Sequence, residues 1–127
     1  MPHFMIDYSA NLEDALDWPA FCDLLRREAI ATGVFPLAGV RVRAFRADHV
    51  SIADGDPKHG YIDLSVRLRA GRDLDTRKRA TAAIFAAAET FLKPVMATRS
   101  LALSMEMRDI DPELSPKTGT IRDHLKG

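Results

Sequence analysis

A chain of 127 residues has the length of one domain. Its 18 Lys and Arg balance 18 Asp and Glu, which excludes the basic footprint of a nucleic-acid binder and an acidic tail. Hydrophobic residues at 46% and charged residues at 28% are ordinary for a globular domain. Cys22 is the only cysteine, so neither an internal disulfide nor a cysteine-based metal cluster can form. On a helix it reads as a small buried hydrophobe. The N-terminus has no basic, then apolar, leader pattern. The most apolar helical stretch, Ala82 to Phe91, is broken by Glu89 and is too short to span a bilayer. A cytoplasmic protein is expected.

Taken in order, residues 3–8 predict a strand, with Phe4, Met5 and Ile6 as a short apolar run ended by Asp7-Tyr8-Ser9. A loop with a helical turn follows over 9–17. Asp17-Trp18-Pro19 is a helix start, since proline in the first turn has no N–H to leave unpaired. Phe21, Leu24, Leu25 and Ala29 fall at helical spacing, and Gly33 ends the helix. Pro36 forbids its continuation through the apolar connector 34–39. Residues 40–46 alternate with period two, a half-buried strand. After a loop with Asp54-Gly55-Asp56-Pro57 as its turn, residues 61–69 alternate again, with Ile62, Leu64, Val66 and Leu68 on one side. Asp73 is a suitable cap for a second helix carrying Ala80, Ile84, Ala87, Ala88, Phe91 and Val95 along one stripe. Pro94 is expected to kink or end it. Ser100 to Arg108 is a fourth strand, and a proline-containing tail ends in a short helix around 121–125.

The order β-α-β, loop, β-α-β, tail predicts a single domain, 1–127, with an internal repeat (about 2–58 and 61–110) and a C-terminal tail, 111–127. Right-handed crossovers then give an α+β fold: two β-α-β units forming a four-stranded mixed sheet with both helices on one face. The other face is polar, with Arg41, Arg43, Ser65, Arg67, Ser104 and Glu106, and carries Phe45 and Tyr61. In so small a domain this reads as an oligomer interface.

Four features bear on chemistry. Pro2 follows the initiator; if Met1 is removed, the chain begins with a secondary amine that accepts a proton near neutral pH once its pKa is lowered. Arg41 and Arg43 lie on one face of a strand, roughly 6.6 Å apart. They are either a carboxylate clamp or a salt-bridged sheet face. Arg72 stands on the turn before the second helix, whose N-terminus attracts anions; the alternative is an exposed loop arginine. His3, His49, His59 and His124 show no metal-ligand spacing, so no metal and no cofactor are expected. His3 reads as structural. An amine base among arginines suits proton transfer on an acidic, enolisable small-molecule carboxylate. Burial and nearby positive charge would keep the amine neutral, and the arginines would stabilise the enolate.

Met-Pro-His-Phe at the start, GVFPLAGVRVR at 33–43, IADG at 52–55, AGRDLDTR at 70–77 and SLALSMEM at 100–107 resemble the 5-carboxymethyl-2-hydroxymuconate Δ-isomerases of the tautomerase superfamily. The resemblance runs along nearly the whole chain. It implies a homotrimer with the sheets around a central channel, removal of Met1, and Pro2 as the base that moves a proton from the 2-hydroxyl to C-5 in homoprotocatechuate degradation. It implies substrate binding by Arg41, which matches the strand-two arginine. Arg72 matches a Gly-Arg turn that shorter superfamily members carry in their first repeat. Arg43 has a family counterpart with either a binding or a structural role. Pro94 and the tail from Ser115 depart from the pattern. Two other readings stand beside this one: a different proline-based tautomerase or dehalogenase-like enzyme, and a non-catalytic trimeric module that binds anions.

Overall fold

The computed structural model describes residues 2–126. Strand β1 is His3–Ser9, helix α1 Trp18–Ala31, β2 Arg41–Ala47, β3 His59–Arg69, α2 Leu74–Met96 and β4 Ser100–Ile110. Short 3-10 turns lie at Ala10–Leu12, Leu37–Gly39 and Ile121–His124. The sheet order is β2-β1-β3-β4. β1 pairs in parallel with β2 and antiparallel with β3, and β3 pairs in parallel with β4. Two β-α-β units therefore meet at the central antiparallel pair, giving the mixed sheet that the element order predicts.

Local chemistry explains the helix boundaries. The Asp17 carboxylate accepts the Ala20 N–H at 3.0 Å, and Asp73 accepts the Thr76 N–H at 2.8 Å. Each satisfies an amide that the first turn leaves without a helical partner. Gly33 stands at φ +73° just past α1, where a side chain would be strained. Helix α2 runs two residues beyond Pro94 before it stops. Proline in the last turn removes one hydrogen bond without ending the helix on the spot. The core stripe of α2 is Ala80, Ile84, Ala88 and Leu92. Leu92 belongs to it, while Ala87, Phe91 and Val95 flank it, half-buried.

Both helices cover one face of the sheet. Phe4, Ile6, Ile62, Leu64, Val66 and Leu68 meet Phe21, Leu25, Ile84 and Leu92 there. Tyr8 stacks on Trp18 with centroids 3.8 Å apart. Cys22 is half-buried on α1, and burial pushes its thiol pKa up, the mark of an unreactive packing residue. The edge strands β2 and β4 are half-covered.

One end of the sheet is locked by polar groups. The fully buried Ser9 Oγ donates to Asn11 Oδ1 (2.7 Å) and accepts the Tyr61 N–H (3.0 Å). Asn11 Nδ2 donates to the His59 carbonyl at 2.9 Å. A Cβ on Gly60 would lie 3.1 Å from both Ser9 Oγ and Asn11 Oδ1 and 3.3 Å from Leu12 Cδ2. Gly60→Ala is therefore expected to destabilise the fold by about 1–3 kcal/mol, read as a melting temperature several degrees lower.

Candidate active site

The site is built at the opposite end of the sheet. β1 enters the fold between β2 and β3, with His3 level with both Arg41 and Arg67. Pro2 lies one residue beyond that rung and is fully buried. At strand spacings of about 4.8 Å across and 3.3 Å along, the Pro2 and Arg41 backbones are roughly 6 Å apart. The apolar surroundings are set by the connector between α1 and β2, where the buried Phe35 packs edge-on against Phe4, centroids 5.5 Å apart. Burial with guanidinium groups nearby favours the neutral form of an amine. The expected loss of Met1 falls on residue 1, outside the described residues.

Arg41 opens β2 directly after the Leu37–Gly39 turn. It lines a cleft of about 240 Å³ with Pro36, Ala38 and Gly39 on one wall and Lys117, Gly119 and Arg122 of the tail on the other. Among the described residues, no carboxylate, histidine or tyrosine side chain lines this cleft. A second cleft of about 240 Å³ lies between Arg69, Ile110 and the tail, and Lys117 lines both.

Arg72 lies at the same end but does not serve an open helix N-terminus. At that position the Asp73 side chain accepts the Thr76 N–H. Arg72 instead turns back across the sheet end. Its Nε donates to the Val34 carbonyl and its Nη1 to the Arg69 carbonyl, each at 3.1 Å. It thereby fixes the connector whose Phe35 packs beside β1.

Arg43 is set one rung further in, on the open face. Its Nη1 lies 3.2 Å from His3 Nδ1, and its guanidinium stands 5.8 Å over the Phe45 ring. Arginine donates only, so His3 Nδ1 accepts and carries no proton. Burial, then Arg67, Arg43 and Arg41 in that order, push the His3 pKa below the usual 6.5. The first rung of the open face thus carries guanidinium groups on three strands, Arg41, Arg67 and Arg108, with the neutral His3 between them on the fourth. Arg67 Nε is buried on that rung without a hydrogen-bond partner among the described residues.

His3 makes stability depend on pH in a fixed direction. As pH falls, the unfolded chain binds the proton first, because its histidine keeps the ordinary value. Stability is then full above about pH 6.5 and declines below it until the lower folded-state value is passed. Thermal melts over that range are expected to show the acid-side loss, and His3→Gln to reduce it.

Among the described residues no group of three His, Cys, Asp or Glu side chains gathers to hold a metal, and no helix is long and apolar enough to cross a membrane. The structure brings Pro2, Arg41 and Arg72 to one end of the sheet and leaves Arg43 on the open face. The sequence patterns did not single out Lys117 and Arg122, which line the Arg41 cleft. Their tail offers prolines and a short helical stretch, and nothing in its periodicity shows where it folds back.

The mixed four-stranded sheet with two helices is a fold found in other solved structures. A fused 4-OT described as a symmetric trimer shares it with a TM-score of 0.65, at 20% identity over 91% of this chain and 93% of that one. Residues 2–125 match the family described as 5-carboxymethyl-2-hydroxymuconate isomerase, and the chain belongs to that family. It is 33% identical over 126 residues, 99% of its length, to the whole of a 5-carboxymethyl-2-hydroxymuconate Delta-isomerase of Escherichia coli. A solved 5-carboxymethyl-2-hydroxymuconate delta-isomerase superposes with a TM-score of 0.92, at 31% identity, over 100% of this chain and 95% of that one. The chain is accordingly an isomerase.

Proposed function

We propose that this enzyme converts 5-carboxymethyl-2-hydroxymuconate from its dienol to its 2-oxo form, with Pro2 as the general base, in the cytoplasmic breakdown of aromatic acids. The observation that carries the reading is the placement of Pro2: buried at the end of the central strand, one residue from the rung of Arg41, in a chain of this family.

The Pro2 nitrogen, freed by loss of Met1, takes the proton of the 2-hydroxyl. The electron pair of the O–H bond becomes the C2 carbonyl, the two double bonds collapse to one between C3 and C4, and negative charge spreads from O2 to C5. The protonated Pro2 then returns its proton to C5, so the step is balanced without a cofactor. Arg41 and Arg72 bind carboxylates of the substrate and favour the dienolate, because preorganised donors stabilise charge that builds in the transition state. For Arg72 this uses the guanidinium nitrogen not committed to the Val34 and Arg69 carbonyls. Arg43 holds His3 and serves the site indirectly.

The molecule assembles as a homotrimer through the open face in the same reading. A cationic rung, a half-exposed Phe45 and the Tyr61 hydroxyl donating to Asp7 at 2.6 Å form a surface of mixed polarity that a second copy can cover. The test is an ultraviolet assay of protein lacking Met1 on the dienol. Loss of the dienol chromophore faster than in buffer is expected. Turnover of other enolisable acids with none of this one would move the chain to a different tautomerase activity.

A further inference from the structure

We infer that the C-terminal tail supplies a second cationic arm, Lys117 and Arg122, which binds the third carboxylate of the substrate and sets specificity for it. The inference rests on the substrate reading above. 5-Carboxymethyl-2-hydroxymuconate carries three carboxylates: the two ends of the muconate chain and the carboxymethyl branch on C-5. Arg41 and Arg72 account for two. A third left without a cation would lose much of the attraction that draws a trianion into the cleft.

The tail is placed to supply that cation. After β4, its first turn is fixed by Asp111, whose carboxylate accepts the Glu113 N–H at 2.9 Å and whose carbonyl accepts the Leu114 N–H at 3.3 Å. The chain then folds back along the Pro36–Gly39 connector to the 3-10 turn at Ile121–His124. That path sets Lys117 and Arg122 into the lining of the cleft that Arg41 opens. Lys117 also lines the adjoining cleft beside Arg69, so the two clefts share one amine at their junction. Neither Lys117 nor Arg122 has an ion-pair partner among the described residues, and both line the same cleft. Two like charges on one cleft wall are unfavourable unless an anion sits beside them.

The experiment compares two dienols: 5-carboxymethyl-2-hydroxymuconate and 2-hydroxymuconate, which lacks the branch and its carboxylate. The double variant Lys117→Gln, Arg122→Gln is expected to raise KM for the branched substrate roughly tenfold with kcat within about twofold, and to leave KM for the unbranched one unchanged. Lys117→Arg, which keeps the charge, is expected to keep the wild-type KM. An equal KM rise on both substrates, or no change on either, overturns the inference. So does a fall in kcat on both, the outcome if Lys117 were itself the base. Each single variant allows the same comparison, so loss of folding in the double variant leaves the question decidable. Wild-type enzyme inactive on the branched dienol would defeat the substrate reading and this one together; wild-type activity with an unresponsive tail defeats this one alone.

Discussion

Protein that keeps a residue ahead of Pro2 is expected to lose about 10²–10⁴-fold in kcat with little change in KM. In that form the Pro2 nitrogen is a tertiary amide. Its lone pair is delocalised into the carbonyl, so it neither accepts the 2-hydroxyl proton nor returns one to C5. The arginines are untouched, and the substrate still binds. Among the described residues, those lining the Arg41 cleft offer no carboxylate, histidine or tyrosine side chain to take over. Pro2→Ala, with residue 1 removed, tests the same group more gently. It leaves a primary amine with an ordinary pKa near 7.7–8.0 and without the ring that fixes its position, so part of the activity should survive. A pH profile separates the two: the basic ionisation persists in the alanine variant and disappears in the extended protein. Equal kcat for extended and processed chains would show that the base lies elsewhere.

Arg41→Gln is expected to lower kcat/KM by about 10–10²-fold, the loss of a charge-assisted hydrogen bond of about 1.5–3 kcal/mol. Both constants should move. A carboxylate contact holds the ground state, whereas the positive charge on the first rung also favours the dienolate as it forms. Arg72→Gln at the same end removes a side chain that also braces the connector through the Val34 carbonyl, so a drop in melting temperature should accompany its kinetic loss. Arg41→Gln should leave stability close to wild type, because Arg41 is half-buried at a strand start rather than in the core. Melting curves beside the kinetics therefore tell a substrate contact from a brace. Unchanged kcat/KM in Arg41→Gln would exclude it from the site.

What the sequence showed, and what it hid, follows from the range of the interactions. The alternation in β3, with every second residue from Gly60 to Leu68 buried, is written in consecutive side chains, and so are the caps at Asp17 and Asp73. The mixed four-stranded sheet with both helices on one face followed from two crossovers, while the strand order came from the structure. Strand limits moved by one or two residues, and Leu92 was left out of the α2 stripe because its neighbour Phe91 looks the better core residue. Candidate site residues stood out where a residue is rare in its position, Pro2, and where a motif carries them, Arg41 and Arg72. They did not stand out where pairing depends on register. His3 meets Arg43 across 40 positions of chain, and the tail reaches the Arg41 cleft from more than seventy positions away. No periodicity encodes such contacts; only the folded sheet brings them together.

The buried Ser9 lock and the arginine-lined clefts lie at opposite ends of β1. Folding and chemistry are thereby given separate territory on a small domain. At the locked end, a change as small as a methyl group meets packed polar atoms. At the other end, the cleft walls come from a connector and a tail whose side chains are largely exposed. New substrates can be explored there by exchanging tail residues, one at a time, without renegotiating how the sheet assembles. A chain built this way can drift in what it acts upon while holding still in how it folds.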